Sequence, residues 1–182
     1  VGISVWKLDG VRNRSIIKDM EAVSRLLDRE SWTFSTNSIC ESRYPYENAK
    51  KANWWYCIQN KNQSPTILLL GDSYANHLYL GIVRSQYFSS ETVLSIGACK
   101  PYWVSESYVN PDPPYAPCSG KRNFEEQEFI NSIVEQEKTI NMVIFSGLRP
   151  SVDYNEIDAL GKRISFFLKR NIQVVVFIPQ FT

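Results

Sequence analysis

Ser73 is the residue of this chain best placed to act as a nucleophile. It stands in the run Thr66-Ile67-Leu68-Leu69-Leu70-Gly71-Asp72-Ser73-Tyr74-Ala75-Asn76-His77-Leu78. Thr66–Leu70 reads as a buried parallel strand, and Tyr74–Gln86 follows at helical spacing. A serine in that turn lies at the carboxyl edge of a strand and the amino end of a helix. Backbone N–H groups there lack intrahelical partners, and the helix dipole favours negative charge. Acyl chemistry through a serine needs such donors, because attack of the hydroxyl creates an oxyanion. The same tripeptide also suits an ordinary helix N-cap turn, since Asp and Ser both cap well. The base for Ser73 is harder to find. The only histidine, His77, lies four residues on, and side chains four apart share a helix face. Ser73 is in the turn, however, and helical side chains lean back towards the N-terminus. A histidine with a purely local hydrogen bond is the plainer reading of His77.

The elements that position this turn form a regular alternation. After the Tyr74–Gln86 helix, a second strand is expected over Thr92–Ile96, ending at Gly97. A long loop, Ala98–Arg122, carries Pro111-Asp112-Pro113-Pro114. Asn123 with Glu126 looks like a capping box opening a helix over Phe124–Lys138. A third strand over Asn141–Ser146 ends in Gly147. A helix over Asn155–Arg170 sets Ile157, Leu160, Ile164 and Phe167 on one face, and a fourth strand, Ile172–Ile178, closes at Pro179. Strands apolar on both faces and separated by helices predict an α/β fold, with a parallel sheet covered on both sides. Ligands of such sheets bind beyond the carboxyl ends of the strands, and Gly71-Asp72-Ser73, Gly97 and Gly147 are expected to converge there. Ahead of the alternation, Ser15–Arg29 reads as an amphipathic helix, with Ile16, Met20, Val23, Leu26 and Leu27 on one face. Residues 31–64 show no clean period and read as an irregular, aromatic-packed excursion. Within it, Trp54-Trp55-Tyr56 is either a sugar-stacking platform or, the plainer reading, aromatic packing against a loop.

Composition narrows the function classes. The chain has 182 residues, with 20 Lys and Arg against 19 Asp and Glu. That balance gives no reason to expect nucleic acid or an anionic membrane as partner. Arg12, Arg14 and Lys18 read as a solvated helix face rather than a headgroup site. No apolar run approaches the roughly 20 residues that span a bilayer. No glycine-rich phosphate loop is present, which argues against nucleotide binding. One histidine and loop cysteines do not make a metal-ligand set, so neither a metal nor a cofactor is expected. The chain starts at Val1 without a signal-peptide pattern, and is expected to derive from a longer polypeptide.

Four cysteines, Cys40, Cys57, Cys99 and Cys118, allow three disulfide connectivities, or four free thiols in a reducing compartment. Nearest-neighbour pairing is favoured because it staples one loop with each bond. Two disulfides would point to an oxidising compartment.

The chain resembles the SGNH (GDSL-type) hydrolases, and within them the extracytoplasmic SGNH domain attached to membrane acyltransferase-three proteins. Those proteins O-acetylate lipopolysaccharide, peptidoglycan or other glycans. The likeness rests on Leu68-Leu69-Leu70-Gly71-Asp72-Ser73-Tyr74-Ala75, on Ala98-Cys99-Lys100-Pro101-Tyr102 after Gly97, and on the cysteine pairs. Gly10-Val11-Arg12-Asn13-Arg14 also resembles the linker entering such domains. The resemblance implies a three-layer, flavodoxin-like sandwich over 31–182, preceded by a linker and lead-in helix over 1–30. It implies Ser73 as nucleophile, with the Ser73 and Gly97 N–H groups as oxyanion donors. The family's further donor is an Asn two positions after a Gly; here the run is Gly147-Leu148-Arg149, leaving Asn76 or Arg149 as substitutes. The family's Asp-x-x-His motif is absent from the 182 residues and is expected further along the native polypeptide. The resemblance also implies a periplasmic or other extracytoplasmic location, tethered to the inner membrane through a preceding region. Its expected partners are a glycan acceptor, an acyl donor and a membrane-embedded acyltransferase domain of the same polypeptide. Two functions follow: serine-dependent O-acyl transfer to, or hydrolysis from, an envelope glycan, or a silent scaffold that binds and positions the glycan.

Overall fold

The structure, a computed structural model, describes residues 35–48, 55–148 and 154–177. The helix expected over Ser15–Arg29, together with Arg12, Arg14, Lys18, Trp54 and Arg149, lies outside the described residues.

Five strands make one sheet: β1 (Cys57–Gln59), β2 (Ile67–Leu70), β3 (Val93–Ile96), β4 (Met142–Phe145) and β5 (Gln173–Val176), in the order β1-β3-β2-β4-β5. β2, β3, β4 and β5 run parallel, while β1 pairs with β3 antiparallel. Helix α1 (Ser38–Arg43) precedes the sheet; α2 (Ser73–Arg84), α3 (Arg122–Gln136) and α4 (Tyr154–Leu168) make the crossovers. The expected α/β sandwich is therefore present, with an antiparallel edge strand that the sequence reading missed.

The central strands are apolar, apart from the buried Ser95 of β3, because both faces are covered. Alternate side chains point to opposite faces of a strand. Leu68, Leu70, Leu94, Ile96, Val143 and Phe145 thus share one core with Ile130, Ile133 and Val134 of α3 and Phe167 of α4. Ile67, Leu69, Val93 and Ile144 share the other with Ala75 and Tyr79 of α2. Leu68, Leu69 and Leu70 are fully buried, and each such side chain contributes about 2 kcal/mol of transfer free energy. The last crossover departs from expectation. Ile157 is exposed on α4, and β5 leaves Gln173 and Val175 open on one face.

The described part of the excursion before β2 is held by polar caps and a disulfide. The Asn37 side chain accepts from the Cys40 N–H at 3.0 Å, capping α1, and donates to the Gln59 carbonyl at 2.8 Å. Cys40–Cys57 then ties α1 to β1. Trp55 stacks with Tyr46 (4.6 Å between centroids), and Tyr46 with Phe129 of α3 (4.4 Å). Trp55 and Phe129 pack against the core.

Candidate active site

Three strand exits meet at the carboxyl edge, and each glycine there has a non-local reason. Gly71 (φ 148°) follows β2; a Cβ on it would lie 2.2 Å from the Ser146 carbonyl oxygen at the end of β4. Gly147 (φ 79°) follows Ser146, and its Cβ would lie 2.3 Å from Oδ1 of Asp72. The exits of β2 and β4 therefore interlock: Gly71 admits the Ser146 backbone, and Gly147 admits the Asp72 carboxylate. The same Oδ1 accepts the Tyr74 N–H at 3.0 Å, making Asp72 the N-cap of α2.

Ser73 is the first residue of α2 and is half-buried. Among the described residues, neither its N–H nor its hydroxyl has a hydrogen-bond partner. A free N–H at the first helical position, with the helix dipole behind it, is a ready oxyanion donor. Asn76 is buried one turn on, its N–H engaged with the Asp72 carbonyl at 3.3 Å. His77 is exposed on the same helix and makes no hydrogen bond with Ser73, so the two are not a catalytic pair here. The adjacent β2 and β4 send their helices to opposite faces, which marks the crevice where ligands of doubly wound sheets bind.

Gly97 corrects an expectation. Its N–H donates to the Tyr56 carbonyl at 3.0 Å, continuing the β1–β3 ladder, so this donor is engaged inside the sheet. Its missing side chain makes room for a neighbouring carboxylate. At φ 106°, a Cβ would lie 2.7 Å from Oε1 of Glu126.

Glu126 is the residue that sequence reasoning misassigned. The Asn123–Glu126 capping box does not form: α3 starts at Arg122 behind Lys121, which makes no side-chain cap bond. Glu126 is buried and instead accepts the Ala98 N–H at 3.0 Å and the Cys99 N–H at 3.0 Å. Burial pushes its carboxyl up to about 7, against the two N–H donors and the charge of Arg163, which favour ionisation. Arg163 on α4 is itself buried, between Phe166 and Phe167 at 5.0 and 4.9 Å, and donates to Asn131. Burial lowers its guanidinium to about 10, opposed by Glu128 and Glu126.

The next residue, Gln127, holds the other end of the same turn. Its Oε1 accepts from Val104 N–H at 2.8 Å and its Nε2 donates to Val104 O at 3.0 Å. The Cys99–Cys118 disulfide and an antiparallel bridge between Asn110 and Gly120 close the rest of the loop. Both disulfides follow the nearest-neighbour pairing. The described residues contain no cluster of His, Cys, Asp and Glu suited to a metal ion, and no helix long and apolar enough to cross a membrane.

The fold is thus a mostly parallel α/β sheet with a half-buried serine, Ser73, at a helix N-terminus beside its switch point. Residues 40–180 match the family described as the SGNH domain fused to AT3 (acyltransferase-three) domains, and the chain belongs to that family. It is thus a domain of the hydrolase and acyltransferase type. No curated protein and no solved structure matches the chain.

Proposed function

We propose that this domain transfers an O-acyl group, acetyl in the simplest case, to or from a cell-envelope glycan through an ester on Ser73. The observation that carries the reading is the Ser73 N–H and hydroxyl, without partners among the described residues, at the first position of α2 beside the interlocked β2 and β4 exits. Ser73 Oγ attacks the donor carbonyl, its proton passes to a base, and the oxyanion accepts the Ser73 N–H. Collapse expels the donor alcohol, which takes that proton. A glycan hydroxyl, or water, then displaces Ser73 by the reverse steps. The base is assigned to a histidine of an Asp-x-x-His motif, which the 182 residues do not contain. With Gly97 N–H engaged, Asn76 and Arg149 are the candidates for the remaining oxyanion donor.

Membership of a family fused to acyltransferase domains supports a membrane-embedded partner on the same polypeptide. Two disulfides support an extracytoplasmic site, because such bonds persist in oxidising compartments. In the native polypeptide, Ser73→Ala is expected to lower acyl transfer by at least about 1,000-fold while leaving thermal unfolding unchanged; full turnover in that variant would remove Ser73 from the mechanism.

The engaged Gly97 donor, and the absence of a base on Ser73 among the described residues, favour a second reading. There the domain is a silent scaffold that positions glycan while a membrane partner does the chemistry. A serine-directed fluorophosphonate separates the two: stoichiometric labelling of Ser73 supports catalysis, and inert Ser73 in the native polypeptide supports the scaffold.

A further inference from the structure

A large cleft opens beside the serine turn, between the β3–α3 loop and the amino-terminal half of α4. Its volume is about 820 Å³, and Asp72 forms part of its border. Tyr102, Trp103 and Tyr108 contribute rings to its lining, and Asn110, Asp112 and Asn123 contribute polar groups. Its walls are stiff. Glu126 and Gln127 pin the loop at Ala98, Cys99 and Val104, and Trp103 N–H donates to the Ala159 carbonyl of α4 at 3.1 Å.

Charge decides what such a cleft admits. Both of its lysines are paired within it: Lys100 with Glu156 at 3.5 Å and Lys162 with Asp158 at 2.7 Å. Asp72 and Asp112 are left as excess negative charge on the lining. An anionic ligand would meet net repulsion there. A sugar ring, by contrast, presents a C–H face to an aromatic ring and a rim of hydroxyls to carboxylates and amides. Sites of this size take a ligand of several rings.

We infer that this cleft binds an uncharged oligosaccharide segment, and so feeds a neutral glycan to Ser73. The inference rests on the acyl-transfer reading for its purpose, but not for its test. Tyr108 is 44% exposed, so its removal leaves the core intact, and Trp103 supplies an emission signal inside the cleft. The full chain would be titrated with a panel of neutral hexose and 6-deoxyhexose tetrasaccharides and with a galacturonate tetramer, following tryptophan emission.

Saturable binding of a neutral tetrasaccharide is expected, with Tyr108→Ala weakening it roughly tenfold. The galacturonate tetramer should bind at least about tenfold more weakly than that neutral ligand. Tyr87→Ala, at a residue outside the cleft lining that is 82% exposed, should change nothing. No neutral binding, equal affinity in Tyr108→Ala, or preference for the anionic tetramer overturns the inference. The readouts also separate the two ideas. Fluorophosphonate labelling of Ser73 without sugar binding sinks the cleft alone; sugar binding with an inert Ser73 sinks the serine reading alone.

Discussion

The chain leaves β2 and β3 side by side at one edge of the sheet, and both exits begin with a glycine at positive φ, 148° at Gly71 and 106° at Gly97. After β2 the turn is two residues long and opens straight into α2, leaving the Ser73 N–H and hydroxyl without partners among the described residues. After β3 the first three N–H groups are all consumed: Gly97 by the Tyr56 carbonyl, Ala98 and Cys99 by the buried Glu126. One exit leaves its first helical N–H without a partner among the described residues, and the other uses its N–H groups to hold a long loop in place. A strand-end glycine therefore marks a close approach without saying what approaches. At Gly71 it is a backbone carbonyl, and at Gly97 a carboxylate.

Three experiments test this contrast. The largest effect is expected at Gly71. Gly71→Ala places a Cβ 2.2 Å from a backbone oxygen, which cannot swing aside, and should cost on the order of 4 kcal/mol of stability. Gly97→Ala meets the end of a side chain at 2.7 Å instead and should cost about half as much. Equal losses in denaturant unfolding would erase the distinction.

The second concerns Glu126. Its folded-state carboxyl lies near 7, above the unfolded value of 4.5, so the folded protein binds more protons between those limits. The contribution of Glu126 to stability is then greatest below about pH 4.5 and is lost as pH rises through about 7, on the order of 3 kcal/mol at most. Glu126→Gln keeps an acceptor for Ala98 and Cys99 and should flatten that slope. An unchanged slope would mean another group titrates.

The smallest effect belongs to Asp72. Asp72→Ala removes the N-cap of α2 and should cost about 1 kcal/mol, far below Gly71→Ala at the preceding position. Thermal unfolding of the two variants side by side measures the difference.

The parts of this molecule that could be read from sequence are those whose cause is local or periodic. Ile67–Leu70, and Val93–Ile96 apart from Ser95, are apolar because both faces are buried, and the turn at Ser73 is visible as a break between two periods. β1 was hidden because Cys57-Ile58-Gln59 shows no alternation; it is a strand only because β3 offers it an edge. Glu126 mimicked a capping box by spacing, yet its partners are 27 and 28 residues away. Gly147 was legible as a turn but not as the seat of the Asp72 carboxylate. Ile157 matched the helical stripe and is nevertheless exposed, while Arg163 of the same helix is buried.

The three-residue strand β1 has one more consequence. It covers the outer edge of β3, which would otherwise present a row of unpaired N–H and C=O groups to any other chain. So short a strand holds few ladder bonds of its own, and Cys40–Cys57 clasps it to α1. Oxidation thus acts as the latch on the sheet's sticky margin. With Cys40–Cys57 reduced, that margin is expected to open to pairing with a second copy.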